Sequence, residues 1–138
     1  MKKLILAFTL IFIFTGISSG QSLQKGNLIG THVLTIELKP GVSMEQWQEF
    51  YIQKFMPAAE KQFQGWEGHL LKGIRGENEN KVGVIYIIKS EKHRDMYYNK
   101  DGTMNETGLK AQNKLQPILD EIYKLGAWEM KYTDWLVL

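Results

Sequence analysis

Residues 81–89 read KVGVIYIIK, the most apolar strand in the chain. On an extended backbone, Val82, Val84, Tyr86 and Ile88 fall on one side, and Ile85 and Ile87 on the other. A strand apolar on both faces belongs inside a structure, with something packed against each side. Upstream, GENEN (76–80) is a polar turn, and WEGHLLKGIR (66–75) reads as the strand that returns through it. Downstream, Ser90 is expected to cap a short helix, SEKHRDMYYNK (90–100), before an Asp101-Gly102 turn. Thr103 and Glu106 have the spacing of a capping box for a longer helix. Leu109, Leu115, Ile118, Leu119, Ile122 and Leu125 form its apolar face. Pro117 is expected to kink that helix, and Gly126 to end it in a left-handed conformation. Ala127 to Leu138 reads as a last strand.

The N-terminal half has the same grammar. THVLTIEL (31–38) alternates, with His32, Leu34, Ile36 and Leu38 on one face. Pro40-Gly41 stops it, and Ser43 with Gln46 makes a capping box for a helix. That helix places Trp47, Phe50, Tyr51 and Phe55 on one stripe, and Pro57 is expected to break or kink it. The order β-α-β-β-α-β predicts an α+β fold, a ferredoxin-like plait with a four-stranded antiparallel sheet and both helices on one face. Such a sheet ordinarily keeps its other face polar. The third strand does not, and Trp128, Met130, Tyr132 and Leu136 add apolar surface from the last strand. The simplest cover is a second copy of the same sheet.

The chain has 138 residues, no Cys, 17 Lys and Arg, and 15 Asp and Glu, for a formal charge of +2. Its length and uniform composition suit one domain. A hydrophobic share of 43% excludes a disordered polar chain. The absence of Cys excludes a disulfide scaffold, a thiolate metal site and a cysteine nucleophile. Residues 1–20, MKKLILAFTLIFIFTGISSG, have a basic start, an apolar middle and a small-residue end, the pattern of a secretory signal peptide. A cut after Gly20 leaves residues 21–30 as a flexible lead-in and 31–138 as the folded domain. The cut removes Lys2 and Lys3, so 15 basic residues face 15 acidic ones. The exported protein is then neutral, periplasmic or secreted, without the cationic footprint of a nucleic-acid binder and with no membrane segment left.

Three stretches, HVLTIELKPG (32–41), FYIQKFMPAAEKQFQGWEGHLLKG (50–73) and VIYIIKSEKHRDMYY (84–98), resemble the dimeric α/β-barrel superfamily. In that superfamily two plaits pack sheet to sheet. The pattern is nearest to the stress-responsive and monooxygenase-like members. The resemblance implies a homodimer with a pocket between helices and sheet. It also implies a choice among cofactor-free oxygenases, polyketide-type cyclases, haem-degrading enzymes, haem-binding peroxidase relatives and proteins without known chemistry. In the stress-responsive branch, a His early in the first strand and a Tyr on the short helix after the third strand correspond to His32 and Tyr97. The second His of the cyclase pattern has no counterpart in Asn99–Met104. In the haem-degrading branch, a Trp and a later His correspond to Trp66 and His93, while the first-strand Asn has no counterpart in Thr31–Val33.

On the residues themselves, His32 points toward the helix layer, where a buried imidazole can take a proton near neutral pH. The alternative is a half-exposed or hydrogen-bonded His near a strand end. One of the adjacent Tyr97 and Tyr98 is expected to face the sheet and offer a hydroxyl to the same pocket, Tyr97 being the one that the resemblance matches; Trp47, Phe50, Trp66 and Tyr86 are expected to line it, with His93 a further ligand-binding candidate. Asp134 could orient Arg75 or Arg94, or stand as a surface charge. The three His have no zinc-binding spacing, and the phosphate-loop, dinucleotide and nucleophile-elbow motifs are missing, so no metal or cofactor is expected. Two functions lead: an exported dimer that binds a small apolar or aromatic molecule, and a cofactor-free oxygenase or cyclase using His32 and Tyr97; a haem-binding or haem-degrading protein stands behind them.

Overall fold

The computed structural model describes residues 23–138. The expected signal peptide lies outside these residues. The chain forms β1 (Leu28–Leu38), α1 (Met44–Phe50), a five-residue π-helical turn (Tyr51–Phe55), α2 (Met56–Gln62), β2 (Trp66–Lys72), β3 (Val82–Ile88), α3 (Glu91–Asp95), α4 (Glu106–Tyr123) and β4 (Gly126–Leu136). The four strands make one antiparallel sheet in the order β2-β3-β1-β4. With the helices on one side, this is the ferredoxin-like plait that the order of elements predicts.

Strand β1 starts at Leu28, three residues before the alternation places it. Leu28 pairs with both Ile88 and Leu136 and is buried. The segment ahead of it is bonded to the sheet ends: the Asn27 side-chain amide donates to the Lys89 carbonyl at 2.9 Å, and Gly26 N–H to that of Val137 at 2.8 Å.

Ser43 and Gln46 form the capping box that starts α1. Trp47, Tyr51, Phe55, Ala59 and Phe63 are all buried at intervals of four. In an unbroken α-helix five such positions would drift by roughly 160° around the axis. The π-helical turn advances less per residue and takes up part of that drift. Pro57 falls in the first turn of α2, directly after this wide turn, and the helical run continues to Gln62.

Three expected caps differ. The Ser90 hydroxyl bonds the His93 ring Nδ1 at 2.8 Å instead of a backbone N–H. Asn105, not Thr103, caps α4 by accepting from Gly108 N–H, because the Thr103 hydroxyl bonds Asp101 at 2.6 Å. Gly126 is the first residue of β4, where a Cβ would stand 2.8 Å from the Glu37 carbonyl oxygen.

Even-numbered strand residues face the helices. Leu34, Val82 and Val84 there join Trp47, Tyr51, Phe55, Leu115 and Ile122 in the core. Odd-numbered residues form the helix-free face, where Ile29, Val33, Leu71, Ile85, Ile87 and Trp135 gather. The expected contribution of Trp128, Met130, Tyr132 and Leu136 to that second face is corrected by the register, which turns all four to the helix side. Met130 and Tyr132 remain exposed there, beyond the edge of the helical cover.

Ile122 is fully buried and Met130 is 54% exposed. Ile122→Ala is expected to cost ~2–5 kcal/mol in urea unfolding, from lost transfer and a cavity. Met130→Ala is expected to change stability by less than about 0.5 kcal/mol. Equal effects of the two would contradict this placement of the core.

Candidate functional site

The helices leave the β1–β4 side of the sheet uncovered, and two adjoining cavities occupy the gap. The outer one, about 530 Å³, lies between β4, α3 and the Tyr98–Gly102 turn. The inner one, about 260 Å³, lies between the sheet, α2 and α4. They share His32, Trp66, Tyr98 and Met130 as a common wall.

His32 owes its position to β1 pairing, which sets it opposite Val84 on one side and Tyr132 on the other. Its ring meets Tyr86 edge-on at 5.4 Å and tilts over Tyr132 at 5.9 Å. Nδ1 lies 3.2 Å from the Met130 sulfur. Nε2 has no hydrogen-bond partner among the described residues. Gly30 makes room for it: a Cβ there would stand 3.5 Å from His32 Nε2 and 3.3 Å from Asp134 Oδ1. The two polar atoms therefore converge over bare backbone.

Burial holds the His32 pKa below its ordinary value, with the Asp134 carboxylate acting weakly the other way. The imidazole is neutral at pH 7 and Nε2 is free to accept or donate according to tautomer. The surrounding phenols stay protonated. Burial, reinforced by the Tyr86 hydroxyl and by Asp134, pushes Tyr98 up to about 12. Burial also raises Tyr86 and Tyr51, whose hydroxyls lie 3.3 Å apart. Asp134 pairs with Arg94 at 3.6 Å, and Arg94 Nε also donates to Asp95 at 2.6 Å. Of the two arginines open as partners of Asp134, Arg94 is the one beside it.

Among the sequence-derived candidates, the cavities bring together His32, Trp66 and Tyr86. Tyr97 does not join them. It is 3% exposed, packs edge-on against Phe63, and its hydroxyl accepts from Gln64 N–H at 2.8 Å. Its neighbour Tyr98 lines both cavities instead and stacks on Trp66 at 6.0 Å. Trp47 is fully buried against Tyr51 and Trp128, away from either cavity. Phe50 is half-buried beneath Lys54 Nζ. His93 packs its ring against Gly65 and bonds Ser90, so it serves the start of α3 and not the cleft. His69 is on the helix-free face, 3.2 Å from Glu67. The residues missed were Tyr51, Met130 and Tyr132; of the Tyr97-Tyr98 pair, Tyr98 is the one at the cavities.

Among the described residues, no group of three or more His, Cys, Asp or Glu could hold a metal ion. No helix there is long and apolar enough to cross a membrane.

No family model matches the chain, and no curated protein does. Solved structures with some likeness include a NIPSNAP family protein of unknown function from Agrobacterium tumefaciens strain C58. It is 14% identical, covers 78% of this chain and 88% of its own, and has a TM-score of 0.47. An EthD-like protein from Ralstonia eutropha JMP134 is 14% identical over 83% of this chain and 95% of its own, at a TM-score of 0.43. A dimeric ferredoxin-like protein of unknown function from Thermobifida fusca YX is 13% identical over 85% of this chain and 98% of its own, at 0.40. No residue role transfers at these levels.

The lowered His32 pKa makes a signed prediction. The unfolded chain takes up the imidazole proton near 6.5, before the folded one does. The His32 contribution to stability is therefore complete above that pH and declines as pH falls below it. Urea midpoints measured from pH 7 to pH 5 should fall more steeply for the wild type than for His32→Gln. Parallel slopes would contradict a neutral, half-buried His32.

Proposed function

We propose that the protein binds a small aromatic or apolar molecule in the helix-side cleft around His32. The observation that carries this is the about 530 Å³ cavity, with aromatic walls and a few convergent polar groups, the usual make-up of a ligand site. A second reading has the cleft act as a cofactor-free enzyme, with His32 taking a proton from the bound molecule. It is favoured by the neutral imidazole and its unpartnered Nε2, and Tyr98 replaces Tyr97 as the nearby hydroxyl.

One titration addresses both. Para-nitrophenol is expected to bind the wild type and quench its tryptophan emission. Gly30→Ala puts a methyl between His32 Nε2 and Asp134 and should weaken binding by about tenfold. If His32 takes the proton, the bound probe absorbs as its anion, and His32→Gln returns it to the neutral form. Failure of the folded wild type to bind would refute the site; binding of the neutral phenol only would refute the proton-transfer reading.

We further propose that the protein works outside the cytoplasm as a homodimer. Ile29, Val33, Leu71, Ile85 and Trp135 form an apolar patch on the helix-free face, with Glu129 and Lys131 beside it on β4. A two-fold axis through such a patch buries it against itself. Exported protein should sediment as a dimer at micromolar concentration, with a mass starting at Gln21, and Ile85→Lys should sediment as a folded monomer. A monomeric wild type would contradict the dimer, and a mass that retains residues 1–20 would contradict export by cleavage.

A further inference from the structure

Strand β4 is an edge of the sheet, paired with β1 on one side and, among the described residues, with no strand on the other. Its pairing with β1 decides which backbone groups are left over. At one end the Leu125 carbonyl accepts from Lys39 N–H at 2.9 Å. At the other, Val137 N–H donates to the Asn27 carbonyl at 2.9 Å, and the Val137 carbonyl accepts from Gly26 N–H at 2.8 Å. An antiparallel ladder turns alternate residues toward the partner strand. The register runs from Gly126 to Leu136 without a bulge, so the odd-numbered residues of β4 bond β1 throughout. The N–H and C=O groups of Trp128, Met130, Tyr132 and Asp134 therefore point away from β1, along the open edge. Residues 129–136 are all exposed, and β4 has no Pro to blunt that edge.

We infer that β4 pairs with β4 of a second copy, antiparallel about a two-fold axis at Met130, joining two four-stranded sheets edge to edge. The charges choose the register. A two-fold axis normal to the sheet keeps each face of β4 on its own side, so a residue lies opposite one of its own parity. Centred on Met130, Glu129 lies opposite Lys131 of the second copy, and Lys131 opposite its Glu129. On the helix side, Trp128 lies opposite Tyr132. Centred one residue earlier or later, Glu129 or Lys131 would face its own copy, and like charges directly opposite destabilise a sheet. Centred on Tyr132, Glu129 would face Trp135 and Lys131 would face Thr133, leaving both charges unpaired. This edge is a different surface from the helix-free patch, and its pairing depends neither on that patch nor on a ligand. A protein that uses both contacts assembles beyond a dimer as its concentration rises. Met130 and Tyr132 also wall the outer cavity, so the pairing sets Trp128 of the second copy at the rim of that cavity.

The chain has no Cys, so a single introduced thiol reports the register. Residues directly opposite in a hydrogen-bonded antiparallel pair stand about 5.5 Å apart at Cα, within disulfide range. At submillimolar concentration under mild oxidation, Met130→Cys should link to its own copy about tenfold faster than Tyr132→Cys, which sits on the same face but opposite Trp128. In the wild type, amide hydrogen exchange at Met130 and Tyr132 should slow about tenfold between micromolar and submillimolar protein. Lys131→Glu should abolish that slowing, and Glu129→Lys combined with Lys131→Glu should restore it. Exchange independent of concentration would overturn the edge pairing. Slowed exchange without faster linkage of Met130→Cys would overturn it too, since it would mean that another strand occupies the edge. Either result leaves the helix-free contact and the cleft as proposed.

Discussion

Strand β1 is bonded along all eleven of its residues to β4 and along its first seven to β3, and this double pairing decides which way the sheet's side chains point. A slip of one residue would turn every side chain of a strand to the opposite face. Leu34, Val82 and Val84 meeting the helices, and Ile85 and Ile87 facing away, are consequences of that register. So is the placement of His32 beside Tyr86 and Tyr132, with the bare backbone of Gly30 next to it. The cleft begins where the helical cover stops short of β4.

The same constraint separates two kinds of apolar surface. One lies on the helix-free face and is proposed to meet a second copy of the chain. The other, Met130 and Tyr132, stands on the helix side and walls the outer cavity. Burial then sets the chemistry: it keeps the His32 imidazole neutral and the Tyr98, Tyr86 and Tyr51 phenols protonated. The ion pair of Arg94 with Asp134 links α3 to β4 across the outer cavity.

Much of the fold was legible because it rests on local patterns. The period-two alternation of residues 31–38, the apolar run 82–88 and the Ser43–Gln46 box are all written in neighbouring residues. The π-helical turn was not, since it is a tertiary accommodation of a stripe spaced at four. The face occupied by Trp128, Met130 and Tyr132 depends on how β4 registers against β1, a long-range pairing no local pattern encodes. At the site, His32, Trp66 and Tyr86 could be read from strand parity. Tyr97 and Tyr98 could not be told apart, because α3 ends at Asp95 and the chain beyond it is oriented by a bridge from Tyr98 to Met104. Which arginine meets Asp134 was open for the same reason.

The most direct test of a ligand site centred on His32 is the imidazole nitrogen spectrum of the three histidines during a para-nitrophenol titration. The His32 resonances should shift with ligand, while those of His69, on the helix-free face, and His93, bonded to Ser90, stay in place. A His32 signal unmoved at saturation, or ligand-dependent shifts confined to His69 or His93, would contradict it.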